Sequence, residues 1–197
     1  FMSKRGTMIT SQPIKGTARR HKDNAVEDEL AKNTLRQSEK ERAENVMIVD
    51  LVRNDLSPYA LTGTIKVDEL FGIYSFEQVH QMISTVSARL KNNEDGFKAL
   101  LYAFPPGSMT GAPKKEVMKN IHQMEKMERD MYAGSIGYFE SNGDYDFNVV
   151  IRSIFYDADK QSISIKTGGA ITYDSIPEKE YEECLLKVEA MVKIANS

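Results

Sequence analysis

Three charged residues late in the chain, Glu180, Glu183 and Lys187, fall on one edge of any helix they share. At roughly 100° per residue they occupy about a 60° sector. Two carboxylates and an ammonium in that arrangement have two readings. One is a surface ion-pair row, because Glu183 and Lys187 stand in the favoured i,i+4 order. The other is a pair of oxygen ligands for a hard divalent cation that takes a third ligand from elsewhere. Glu44 can supply that third oxygen, since a carboxylate opening an apolar stretch is costly unless it is paired or bound to a cation. It reads equally as the last exposed acid of the charged stretch before it. Oxygen ligands alone point to Mg²⁺.

Lys15 sits between Ile14 and Gly16 in the segment Pro13-Ile14-Lys15-Gly16-Thr17. Little side-chain bulk surrounds it, which suits an ammonium at a cleft and suits an exposed surface lysine equally. A nucleophilic lysine needs burial or a neighbouring cation to favour its free amine. Arg152 is a lone cation in Asn148-Val149-Val150-Ile151-Arg152-Ser153-Ile154, and strand alternation turns it to the side of Val150 and Ile154. There it is either half of an ion pair or a receptor for a carboxylate. Gly168 and Gly169, at a strand end, let backbone amides approach an anion closely, although paired glycines also serve plain turns.

The elements that must hold these residues follow from pattern. Phe1 to Ile9 reads as a strand, a turn at Arg5-Gly6 and a second strand with no lead-in, so the chain is expected to begin within a domain. Arg19 to Arg42 is strongly charged and reads as a loop entering an exposed helix. Glu44, Ile48, Leu51 and Asp55 fall at helical spacing, ending near Ser57-Pro58. Phe76 to Leu90 carries Val79, Met82, Ile83, Val86 and Leu90, an amphipathic helical pattern, and a loop over 91–96 follows. Pro105 to Pro113 is rich in turn residues and leads into a helix through Val117, Ile121 and Met124. Asn142-Gly143 marks a hairpin between Ser135–Phe139 and a long strand over 147–156, with another strand at 162–166. Ser175, Pro177 and Glu178 form a capping box for a last helix that runs to about Ala195. Its apolar face is Tyr181, Leu185, Val188 and Val192.

The 197 residues, 41% hydrophobic and 28% charged, suit a globular domain with a substantial core. A formal charge of −3 offers no broad basic field, which excludes nucleic acid as the expected partner. The single cysteine, Cys184, allows no intramolecular disulfide, and no apolar run approaches a membrane span. With no signal peptide read at its start, a reducing cytoplasm is the expected compartment.

Taken in order, the segments resemble the chorismate-utilising enzymes, a family of anthranilate and aminodeoxychorismate synthases with isochorismate and salicylate synthases as more distant members. The resemblance rests on Pro13 to Thr17; Ala43-Glu44-Asn45 running into Ile48-Val49-Asp50-Leu51 and Arg53-Asn54-Asp55; Gly107-Ser108-Met109-Thr110-Gly111-Ala112-Pro113-Lys114; Ile136-Gly137-Tyr138; Ile151-Arg152-Ser153; Gly168-Gly169; and Asp174-Ser175 before Glu180 and Glu183. It implies an α+β fold, antiparallel sheets packed together with helices on their outside. It also implies that residues 1–197 are the C-terminal part of a catalytic domain whose N-terminal part lies elsewhere.

By the same resemblance Glu44, Glu180 and Glu183 bind Mg²⁺, which takes the ring carboxylate of chorismate. Arg152 and Tyr138 hold the enolpyruvyl carboxylate with the Gly168 and Gly169 amides, and Lys187, Ser108 and Thr110 are further contacts. Lys15 and Thr17 form the catalytic segment. In the aminodeoxychorismate branch the position of Lys15 is characteristically lysine, where sister branches carry alanine. That implies amination of chorismate to 4-amino-4-deoxychorismate, a folate precursor, through a Lys15 adduct, with ammonia from a glutamine amidotransferase subunit. Anthranilate or salicylate-type chemistry, or a non-catalytic module, are the alternatives. Three departures stand out. No Ser-Pro-Glu acid precedes Lys15 here, Gln81 occupies a position where the family often has histidine, and Ala170 replaces a third glycine. His80, one residue from Gln81, is expected to be a partly exposed histidine on a helix.

Overall fold

The strand β5 (Val79–Arg89) organises the fold, and it corrects the helix expected over 76–90. His80, Met82, Ser84, Val86 and Ala88 are all fully buried, a period of two that belongs to one face of a strand. Two of those five are polar, so the hydrophobic alternation is broken where it needed to be read. The other face is closed too, at Gln81, Ile83 and Ser87. Buried on both sides, the strand carries apolar residues at spacings that imitate a helix.

The structure is a computed structural model that describes residues 1–173 and 175–195. Asp174, part of one family-like segment, lies outside the described residues. The chain divides into two compact units, Phe1–Met127 with Ser135–Asn148, and Glu128–Gly134 with Val149–Ser197.

The first unit is built on a seven-stranded antiparallel sheet. Its strands are β1 (Met2–Arg5), β2 (Met8–Ser11), β3 (Ile14–Arg19), β4 (Lys66–Ser75), β5, β6 (Ser135–Phe139) and β7 (Tyr145–Val149), in the order β3-β5-β2-β1-β7-β6 with β4 also on β5. β3 pairs with Val79–Ile83 and β2 with Val86–Arg89, while β4 pairs along the same strand from His80 to Ser87. The β1–β2 hairpin forms, with its turn at Gly6-Thr7, one residue beyond the Arg5-Gly6 expected, and Gly6 at φ +56°. The Asn142-Gly143 hairpin also forms, and the Asn142 side chain accepts from the Asp144 amide at 2.9 Å. Lys4, 2% exposed, reaches that turn and donates to Gly143 O and Asp144 Oδ1 at 3.1 and 3.3 Å.

Helices cover the core face of this sheet. α1 (Ala25–Gln37) and α2 (Glu39–Leu56) are separated only by Ser38, whose side chain accepts from the Glu41 amide. α2 therefore starts five residues before Glu44, inside the charged stretch expected to be outside it. Ile48, Val49, Val52 and Leu56 of α2 pack with Ile9, Val86, Ala88 and Tyr145, and with Ala99, Leu100 and Ala103 of α3 (Gly96–Ala103). α3 begins where the loop expected over 91–96 ends, in a segment for which the pattern gave no element. α4 (Lys114–Met124) follows the turn-rich segment, with Pro113 as its N-cap.

His80 is fully buried and lies on β5, not on a helix. One ring nitrogen is 2.8 Å from Ser75 Oγ and the other 3.0 Å from Asp28 Oδ1. Burial without loss of hydrogen bonds explains why it is not at the surface. Asp28 also accepts from the His21 amide at 2.8 Å and from Arg20 Nε at 2.9 and 3.1 Å. The His21 amide, and after it Arg20 and His80, hold the Asp28 carboxyl well below the usual carboxylate range against its partial burial. A depressed carboxyl stabilises the fold fully above its unfolded value of about 3.9 and loses that contribution as pH falls through its folded value. The stability of the protein therefore declines in acid below about pH 4, and Asp28→Asn flattens that limb. Urea midpoints measured against pH for both proteins check this; parallel curves would remove Asp28 from the account.

The second unit holds the antiparallel hairpin of β8 (Ile154–Asp157) and β9 (Ser162–Ile165) and the helix α5 (Pro177–Ala195). The single strand expected over 147–156 is two strands. The chain leaves β7 after Val149, makes a tight Ile151 N to Val149 O hydrogen bond of 3.0 Å, and passes Arg152 at φ +51° before β8 begins. Val150 exchanges backbone hydrogen bonds with Ala133 and Gly134 at 2.9 Å instead of continuing the ladder. Arg152 thus stands in a bend, not in a strand beside Val150 and Ile154. Among the described residues no helix is long and apolar enough to cross a membrane.

Candidate active site

Lys15 lies on β3 where that strand bulges. Ile14 pairs with Ile83 and Thr17 with Gln81, so three residues of β3 span two of β5. The extra residue bends the strand. Gly16 sits in the bulge at φ +94°, with Leu35 and Glu41 closing on the space where a Cβ would be. The bulge faces α2, and Lys15 Nζ is 3.8 Å from Glu44 Oε2, with the two side chains 16% and 12% exposed. That separation is an ion pair longer than a hydrogen bond.

Glu44 is fixed in turn by its neighbour. Asn45 is fully buried and accepts a 2.5 Å hydrogen bond from Ser84 Oγ of β5, which itself accepts from the Phe71 amide at 3.1 Å. Asn45 Nδ2 is buried without a hydrogen-bond partner among the described residues. The polar contact pins this turn of α2 against β5 and sets Glu44 opposite Lys15. Thr17 follows on the same strand.

Ser108 and Thr110 belong to the segment between α3 and α4, which makes one 3₁₀ turn over Gly107–Met109. Thr110 Oγ1 is 3.3 Å from both Pro106 O and Gly107 O. Tyr138, on β6, is more than half exposed, and its hydroxyl is the main influence that holds the Arg5 guanidinium above its ordinary value. Arg5 alternates with the buried Lys4, so Tyr138 stands on the sheet face away from Lys4 and Tyr145.

In the second unit, α5 presents Glu180, Glu183 and Lys187 on one edge as their spacing requires. Lys187 Nζ is 2.7 Å from Glu183 Oε1 and donates to Gly168 O at 3.1 Å. The ion pair and the loop contact coexist on the same ammonium. Gly169 lies against the helix, where a Cβ would stand 3.4 Å from Glu180 Oε2. Glu180 is 7% exposed, and Ser175 Oγ donates to its Oε1 at 2.8 Å. Ser175, expected to cap α5, lies two residues ahead of Pro177 and directs its hydroxyl to this carboxylate. A hollow of about 270 Å³ opens here, bordered by Gly169, Ile171, Ser175, Glu180, Tyr181 and Cys184.

The predicted residues thus gather in two places. Lys15 and Glu44 meet in the first unit, with Thr17 two residues along the same strand, and Glu180, Glu183, Lys187, Gly168 and Gly169 gather in the second. Within neither unit do three metal-binding side chains assemble among the described residues. Glu44, Glu180 and Glu183 offer carboxylate oxygens, the donor type a hard cation takes, and the Glu180 side chain is almost wholly covered. The residues that spacing did not single out for a role are those that fix the others. Asn45, Ser84, Asp55 and Lys114 are polar side chains at apolar contacts, and their signal is charge or amide inside an otherwise hydrophobic run.

A search of family models matches residues 1–193 to the chorismate binding enzymes, and the chain belongs to that family. It is 44% identical over 186 residues to the chloroplastic aminodeoxychorismate synthase of Arabidopsis thaliana, covering 94% of this chain and 20% of that protein. It is 40% identical over 191 residues to aminodeoxychorismate synthase component 1 of Bacillus subtilis, covering 97% of this chain and 40% of that protein. Among solved structures, a 2,3-dihydroxybenzoate-specific isochorismate synthase from Bacillus anthracis superposes with a TM-score of 0.88 at 26% identity, over 99% of this chain and 51% of the other. The chain therefore spans a fifth to two fifths of these curated relatives' lengths.

Proposed function

We propose that the protein aminates chorismate at C4 to give 4-amino-4-deoxychorismate, with ammonia delivered by a glutamine amidotransferase partner. The observation that carries this reading is Lys15, held on the bulge of β3 beside Glu44. As a free amine, Lys15 adds to C2 of chorismate, the ring double bond shifts, and the C4 hydroxyl leaves as water. Ammonia then attacks C4, the double bond returns and the lysine is expelled, so two allylic displacements replace one difficult substitution. A proton must leave Lys15 before the first step; the Glu44 carboxylate beside it favours the ammonium form, and a cation bound to Glu44 would offset that and favour the free amine.

Glu44, Glu180 and Glu183 would hold Mg²⁺, which when bound supplies a positive anchor for the ring carboxylate of the substrate. Arg152, Tyr138 and the Gly168 and Gly169 amides receive the second carboxylate in this reading. Ser108, Thr110 and Lys187 add contacts, and Thr17 shares the strand of the nucleophile. The similarity to proteins named aminodeoxychorismate synthase supports amination as the outcome.

The test is a product analysis. Incubated with chorismate, Mg²⁺ and ammonium, the full-length protein that contains these residues is expected to form 4-amino-4-deoxychorismate without releasing pyruvate. Fluorescent anthranilate appearing together with an equal amount of pyruvate would assign it to the sister reaction instead.

A further inference from the structure

The loop that carries Ser108 and Thr110 is tied to α2 at two points one helical turn apart. At Gly107, an added Cβ would lie 2.6 Å from Leu51 Cδ2, so the backbone rests directly on that side chain. Four residues along α2, Asp55 Oδ2 receives Lys114 Nζ at 2.5 Å, and the same ammonium donates to Ala103 O, at the end of α3, at 2.9 Å. Lys114 and Asp55 are 13% and 9% exposed, and Lys114 begins α4 immediately after the loop. One ammonium therefore joins the end of α2, the end of α3 and the start of α4, the three helix termini that frame residues 104–113. Glu44 lies on the same rigid helix, three turns before Asp55.

We infer that Asp55 and Lys114 are positioning residues that hold the Ser108–Thr110 loop at a fixed distance from Glu44 and Lys15. The physical case is one of cost and geometry. A charge pair this covered is expensive to desolvate and is retained where it fixes an arrangement that apolar packing would leave loose. Burial pushes the Asp55 carboxyl above its ordinary value and Lys114 opposes that. Leu51 sets how close the loop comes to α2, and the ion pair sets where along α2 it lies. Ser108 and Thr110 then meet a substrate in a preset place, which lowers the ordering cost of binding.

The inference rests on the reading of Ser108 and Thr110 as substrate contacts, and the experiment separates the two. Asp55→Asn keeps the shape and removes the charge, and Lys114→Arg keeps the charge while changing its reach, as a milder variant should the first fold poorly. Hydrogen exchange read by mass spectrometry reports the loop without reference to activity. In Asp55→Asn, peptides covering 104–113 are expected to exchange at least about tenfold faster while β5 is unchanged, with a smaller loosening in Lys114→Arg. In steady-state assays KM for chorismate is expected to rise about tenfold with kcat within about threefold, the pattern of lost uniform binding. Unchanged exchange over 104–113 in both variants would overturn the clamp itself. A loosened loop with parental KM would overturn its role in positioning. Absence of chorismate turnover in the parent protein, with the loop still loosened in the variants, would remove the functional reading and leave the clamp standing.

Discussion

Lys15→Ala is expected to lose at least about a thousandfold in aminodeoxychorismate formation while the protein remains folded. The chemistry requires an amine at that position. Ammonia acting without the lysine must displace the C4 hydroxyl in one step. The stability cost is small, within about 1 kcal/mol, because the ion pair to Glu44 is partly exposed and longer than a hydrogen bond. Lys15→Arg sharpens the test, since arginine restores the positive charge beside Glu44 and cannot deprotonate to a nucleophile. It should therefore be as inactive as alanine. Chorismate added to the parent protein without ammonia should also leave an adduct on Lys15 with the mass of chorismate less water. Parental turnover by Lys15→Ala, or activity rescued by arginine, would reduce Lys15 to a charge that binds.

The sequence makes the helical edge of Glu180, Glu183 and Lys187 legible because a helix places residues three and four apart together whatever surrounds it. The two tight hairpins are legible for a similar reason: Gly6 and Asn142-Gly143 state a local backbone requirement. β5 is not, because its buried face contains His80 and Ser84, polar residues whose burial depends on partners far away in sequence, Asp28 and Asn45. No window of local pattern contains those partners. Arg152 fails for the opposite reason. Its surroundings are apolar and alternate well, but Val150 takes its hydrogen bonds from Ala133 and Gly134, and the strand stops. The motifs of the family resemblance supplied the candidate chemistry-bearing residues. They did not reveal that Lys15 stands on a bulge, which depends on the pairing of β3 with β5.

That bulge makes Gly16 the second residue where a large effect is expected. Gly16→Ala should destabilise the protein by about 2–5 kcal/mol, the sum of a strained positive φ and an overpacked contact. The backbone is at φ +94°, and an added Cβ would stand 3.0 Å from Leu35 Cδ1, 3.1 Å from Glu41 Oε2 and 3.2 Å from Glu41 Cβ. The carboxylate end of Glu41 can swing away, but its Cβ is fixed to α2 and Leu35 is buried. Either α2 retreats or β3 flattens its bulge, and both movements separate Lys15 from Glu44. Turnover by the molecules that remain folded should accordingly fall by about tenfold or more. Gly6→Ala is the control that divides the two causes: Gly6 also has a positive φ, at +56°, but nothing lies within 4 Å of its missing Cβ. It should cost only the conformational part, about 1 kcal/mol, and leave turnover unchanged. Urea midpoints and rates for the two variants decide the matter. If Gly16→Ala matches Gly6→Ala in both, α2 does not press on the bulge, and Lys15 owes its place to β3 alone.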